Sequence, residues 1–242
     1  MAPIDQFPRV TVAGAGLFVA SVGLMHAVQP ELSPVDMAVS YYMTGRFGWA
    51  LGAGLIFLGI ASLSLALGLR HCLTPAGAGA GLWLFVVWAI GVIICGLFPP
   101  DPPGHWDEPP SAPGMIHGVA ALIALLAFAP AAWLLSWRLA GLPHQRLDAR
   151  ILESLAILCA LCLLAFFVCL MPVFANRAPY ALGFVERVLL ALNVGWLVIT
   201  AVSIPRSSQI VDATRRTSPL TQRYGEGQVH HAHAITDEEH YR

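Results

Sequence analysis

Lysine is absent from this chain of 242 residues: all 13 basic side chains are arginine, and Asp, Glu, Lys and Arg together make up only 11% of it. A soluble domain carries roughly 25%. Charge so sparse leaves too little polar surface to cover a water-soluble globule of this size. No basic run interleaved with aromatics occurs before the C-terminal segment, so a nucleic-acid partner has no electrostatic footprint. Cysteine is scarce too, with five residues. Cys95, Cys159, Cys162 and Cys169 fall inside apolar runs and Cys72 lies just beyond one, which excludes the disulfide framework of a small secreted domain. Cys159-x2-Cys162 in that setting reads as two inert buried thiols rather than a redox or zinc pair.

What the chain has in quantity is hydrophobicity, at 57% of residues. A bilayer-spanning helix needs roughly 20 mostly apolar residues, and six stretches meet or approach that length: residues 10–28, 47–69, 81–98, 114–137, 151–171 and 180–204. The expected fold is an all-α integral membrane protein, with six transmembrane helices in one bundle over residues 1–204 and a polar tail without regular structure over 205–242. The first stretch is expected to be retained as a helix, because only Arg9 precedes it and no clean small-x-small cleavage site follows.

Arginine placement gives the orientation, since basic residues near helix ends stay on the cytoplasmic side. Nine arginines flank one side of the six-helix zigzag, whereas Arg46, Arg177 and Arg187 flank the other. Both termini are therefore expected in the cytoplasm, in a bacterial inner membrane. The loops 29–46, 99–113 and 172–179 then face outward.

Those outer segments hold the polar residues of interest. His26 lies within a turn of the outer end of the first helix, and His117 lies a turn inside the fourth. Singly, such a histidine is more often an interfacial hydrogen-bonder than a ligand. The spacing Asp101-x3-His105, with His117 and His26 in reach, nonetheless makes these four the candidate metal ligands. The prolines from Pro99 to Pro113 oppose a helical turn there and stiffen the loop into a cap. Asp101 is expected at the rim of a site, and Asp107 and Glu108 in solvent. In the sixth helix Glu186 sits about two turns inside the boundary, and Glu186, Asn193 and Thr200 recur every seven residues on one face. An intramembrane charge is normally paired or faces a cavity, so this face is expected to point inward. Adjacent residues diverge by about 100° on a helix, so Glu186 and Arg187 should each have a partner other than the other. Close helix contacts are expected from Gly48 and Gly52 in the second helix against Gly16, Ala20 and Gly23 in the first, bringing His26 near Tyr41, Tyr42 and Arg46.

Three motifs, Phe98-Pro-Pro-Asp101, Gly114-Met-Ile-His117-Gly118 and Gly183-Phe-Val-Glu186-Arg187, stand at the expected helix ends in order. Over roughly residues 10–204 the chain resembles the prokaryotic multi-pass membrane family called domain of unknown function 998. The resemblance implies six helices and a shared outward polar site at Asp101, His117, Glu186 and Arg187, with no established chemistry. The combined expectation is an outward pocket built from the ends of the first, fourth and sixth helices, holding Asp101, His117, Glu186, Arg187, His26 and Asn193. Its ligand would be a lipid headgroup or small polar molecule. Three alternatives stay open: a membrane-embedded, metal-assisted or general acid-base lipid hydrolase using Asp101 and His117, electron transfer through haem held by His26 and His117, and pure assembly or scaffolding.

Overall fold

The computed structural model describes residues 6–73, 75–104, 108–141, 146–174 and 177–216. Six helices carry nearly all of them: α1 (Gln6–Val28), α2 (Gly48–Cys72), α3 (Pro75–Leu97), α4 (Ala112–Ala140), α5 (Arg146–Phe174) and α6 (Leu182–Arg216). All six are long and apolar enough to cross a membrane, and a helix is the form in which an apolar segment satisfies its own backbone in lipid. No strand occurs among the described residues. A short 3-10 helix, Val39–Thr44, lies in the loop between α1 and α2. Successive helices pack side by side from α1 through α5, as short connections between antiparallel neighbours require. The chain divides at Pro205, and α6 continues past that point to Arg216. Residues up to 216 are thus helical where no regular structure was expected. Residues between Pro205 and Arg216 include no further proline and no glycine, and propagating a formed helix is cheap compared with starting one. Residues 217–242, with the histidines of the tail, lie outside the described residues.

Local signals set the helix ends. Ser111 caps α4 by accepting the Gly114 N–H at 3.1 Å, and Pro113 sits in the first turn, where its missing N–H costs nothing. Pro130 and Pro172 lie inside α4 and α5.

The small residues act differently from the expectation. The buried face of α1 is Thr11, Gly14, Ala15, Phe18, Ser21 and Met25, so Gly16, Ala20 and Gly23 stand on the exposed face. Gly14 of α1 meets Ala61 of α2, and Gly54 of α2 meets Ser21 of α1. Gly52 belongs to the α2–α3 crossing. A Cβ there would lie 2.8 Å from the Gly96 carbonyl oxygen, and one on Gly96 would lie 2.6 Å from that of Gly52. The physical reason is that small residues occur on both faces of α1, and hydropathy does not distinguish a lipid-facing glycine from a packing one.

Between α3, α4 and α6 lies a cluster of four rings. Phe128 stands 4.8 Å from Trp88 and 5.8 Å from Trp196, and Phe85 stands 5.6 Å from Trp196. Each indole N–H finds a serine: Trp88 donates to Ser62 at 3.2 Å and Trp196 to Ser136 at 3.0 Å. Burying a tryptophan requires such a partner, and these two bonds tie α3 to α2 and α6 to α4. The cluster forms the floor above which the candidate site is built.

Candidate functional site

The site lies at the end of the bundle where α2, α4 and α6 begin. There the α1–α2 loop folds down onto the start of α6. Asp36 accepts the Ala181 N–H at 3.1 Å, the Val35 carbonyl accepts the Phe184 N–H at 2.8 Å, and the Met37 carbonyl accepts from Arg187 Nη1 at 2.9 Å. A helix N-terminus leaves unpaired N–H groups, and this loop supplies acceptors for two of the N–H groups around it. The approach is close enough that Gly183 must lack a side chain, since a Cβ there would run into the Met37 carbonyl.

Glu186 and Arg187 diverge from this platform, and each finds its own partners, as the helical geometry required. Glu186 Oε2 accepts the Val39 N–H at 2.5 Å, while its Oε1 has no partner among the described residues. Arg187 donates through Nε to His26 Nε2 at 3.0 Å and through Nη1 to the Met37 and Gly183 carbonyls. Its guanidinium carbon stands 5.6 Å above the Tyr42 ring, and Nη2 is buried without a partner. His26 lies 2.7 Å through Nδ1 from the Val22 carbonyl, so Nδ1 carries the proton and the Nε2 lone pair takes the arginine N–H. The expected approach of His26 to Tyr42 is present, with ring centroids 5.2 Å apart. Arg187 is thus a strut joining α6, α1 and the loop.

His117 is buried at the first turns of α4. Its Nδ1 lies 2.8 Å from the Phe98 carbonyl and 3.2 Å from that of Cys95. Two carbonyl partners make Nδ1 the donor and leave Nε2 as a lone-pair acceptor. His117 and Glu186 line one cavity of about 60 Å3 between α2, α3, α4, α6 and the 3-10 helix. Trp88 and Leu58 line it too, together with Cys95 and Ser40. Since one water needs only ~10–15 Å3 by this kind of measure, the space admits a group of several heavy atoms.

The other expected site residues lie elsewhere. Asp101 accepts the Ser111 N–H at 3.0 Å and lies against Gly114, closing its own loop onto the start of α4. It is not among the residues lining the cavity. Its position one residue past a proline pair holds it near the chain that returns into α4. Asn193 is buried one turn and more below the cavity, where Cys159 donates to its Oδ1 at 3.2 Å while its Nδ2 has no partner. Asn193 and Thr200 are both buried, so the seven-residue face of α6 points inward. The pocket expected from the ends of α1, α4 and α6 instead takes walls from α2 and α3, and α1 reaches only Arg187, through His26. His105 and Asp107 lie outside the described residues. Among the described residues no three or more His, Cys, Asp or Glu side chains form a group that could hold a metal ion. Both ring nitrogens of His26 are committed to protein partners, Nδ1 to the Val22 carbonyl and Nε2 to Arg187.

Sequence reasoning gave little weight to Asp36 and none to Gln29. Gln29 is buried and donates to the Tyr42 and Arg46 carbonyls at 2.8 Å each, fixing the far end of the same loop. In sequence Asp36 is one acid among several in the loop, and its partner, the Ala181 N–H just before α6, is 145 positions away. The glycine of Gly183-Phe-Val-Glu186-Arg187 was the available signal that another backbone approaches α6 there.

No curated protein and no solved structure matches the chain. A family model described as "Protein of unknown function (DUF998)" matches residues 12–203. That match takes in α2 to α5 whole, most of α1 and of α6, and the cavity and the docked loop, and on it the chain belongs to the DUF998 family.

Proposed function

We propose that this protein is an inner-membrane binding protein of a bacterium, with both termini in the cytoplasm, whose outward-facing cavity takes a lipid headgroup or small polar molecule. The single observation that carries the reading is the joint presence of Glu186 and His117 on one otherwise largely apolar cavity. Ionisable groups at membrane depth are expensive and are kept where they pair or meet a ligand. A mostly apolar pocket with a few convergent polar groups is the usual form of a small-molecule site. The docked loop supports the reading from above: it fixes Val39, whose N–H orients Glu186, while Arg187 locks the loop in place. Such a site is preorganised, which lowers the ordering cost of binding.

Native mass spectrometry of protein released from lipid nanodiscs tests the proposal. The wild type should retain an adduct, and a variant combining Glu186→Gln with His117→Phe should lose it while keeping its melting temperature within a few degrees. An adduct held equally by both proteins, or by neither, would remove the cavity from the account.

A further inference from the structure

The cavity carries one charged side chain among the described residues, and it is acidic. Arg187, the neighbouring cation in sequence, is turned away to His26, Met37 and Gly183 and does not line it. His117 presents an acceptor, because two carbonyls claim its N–H. Glu186 offers Oε1, and among the described residues its one hydrogen bond is the Val39 N–H on the other oxygen. The nearest cation, Arg187, acts on this carboxylate through space but makes its hydrogen bonds to His26, Met37 and Gly183, outside the cavity. The indole of Trp88 lines the same space, and among the aromatic side chains tryptophan attracts cations best. The carboxylate, the histidine acceptor and the indole together favour positive charge and donated N–H groups over phosphate.

Resting on the cavity reading above, we infer that the ligand group entering this cavity is a protonated amine on an apolar body. Glu186 serves as its counter-ion and His117 Nε2 as a second acceptor for its N–H groups. The volume of about 60 Å3 accommodates an ammonium and the first carbons bearing it, with the remainder of the molecule outside. The shared chemistry is a primary ammonium, whose source is either a free hydrophobic amine or the headgroup of an aminophospholipid. No covalent step is involved.

The test uses the full chain in phosphatidylcholine nanodiscs, titrated separately with dodecylamine, dodecanol and dodecyl phosphate, with tryptophan fluorescence as the readout. Trp88→Phe identifies the part of the signal that arises at the cavity. The expected result is a saturable Trp88-dependent change with dodecylamine alone, weakened at least tenfold by Glu186→Gln. That variant keeps an acceptor for the Val39 N–H, so a change confined to binding separates charge from folding. Replacing half of the phosphatidylcholine by phosphatidylethanolamine distinguishes the sources: competition with dodecylamine assigns the site to the lipid headgroup, and its absence assigns it to a free amine. Saturable binding of dodecyl phosphate or dodecanol as tight as that of the amine, or amine binding unaffected by Glu186→Gln, would overturn the ammonium assignment and leave the cavity reading standing. No saturable response to any of the three probes, together with no retained adduct in native mass spectrometry, would overturn both.

Discussion

Replacing Gly183 by alanine should loosen the docked loop, and the size of the effect follows from what the added carbon meets. A Cβ at this position would collide with the Met37 carbonyl and lie 2.7 Å from Arg187 Nη1. Because the obstacle is backbone, the loop must slide. The smallest slide breaks the charge-assisted bond from Arg187 to Met37 and strains the Phe184 N–H bond to Val35. Charge-assisted bonds contribute ~1.5–3 kcal/mol and neutral ones ~0.5–1.5 kcal/mol, so the loss is about 2–4.5 kcal/mol. The better helix propensity of alanine returns at most ~1 kcal/mol. Gly195→Ala on the same helix is the control, since a Cβ there has nothing within 4 Å. Thermal unfolding in detergent, followed with a thiol-reactive dye that reports exposure of the buried Cys95 and Cys159, should place Gly183→Ala several degrees below wild type, at roughly 2–4 °C per kcal/mol. Gly195→Ala should match or exceed wild type. Equal melting of the two variants would refute the claim that loop and helix are locked together at Gly183.

Three further outcomes are expected. Asp101→Ala should lower stability by about 0.5–1.5 kcal/mol through loss of the bond to the Ser111 N–H and leave the retained adduct unchanged in native mass spectrometry; loss of the adduct would return Asp101 to the site. Asn193→Leu should change stability by less than ~1 kcal/mol, because it removes an unpartnered buried amide N–H along with a weak thiol bond; a melting point lowered by many degrees would show that Asn193 holds the bundle together. A reporter that functions only in the cytoplasm, fused after Arg242, should be active, and activity of a periplasm-dependent reporter there would invert the proposed orientation.

The helices were legible because a bilayer-length apolar run has few other ways to satisfy its backbone, and the heptad spacing of Glu186, Asn193 and Thr200 was enough to show which face of α6 turns inward. Glu186 and His117 were legible as a pair for a similar reason: each is an ionisable group near the same end of the bundle. Which helices wall the cavity was not legible. Gly16 and Gly14 read alike in sequence, yet one faces outward and the other packs on α2, so helix rotation could not be fixed from composition. Arg187 was expected in the pocket and apart from Glu186, but its partners, on α1 and in a loop about 150 positions earlier, were beyond the reach of a local pattern. Asp101 was placed beside the site by its proximity to the membrane boundary, whereas the nearest unsatisfied donor was the N–H of Ser111 in its own loop.

The central claim is that Glu186 and His117 face a shared space that a ligand occupies. A structure determined in native-lipid nanodiscs tests it most directly. The account predicts ordered non-protein density inside the cavity, within hydrogen-bonding distance of Glu186 Oε1 and His117 Nε2, with Arg187 still bound to His26 and Met37. A closed cavity in which Glu186 pairs with His117 or with Arg187, and no density lies between them, would contradict it.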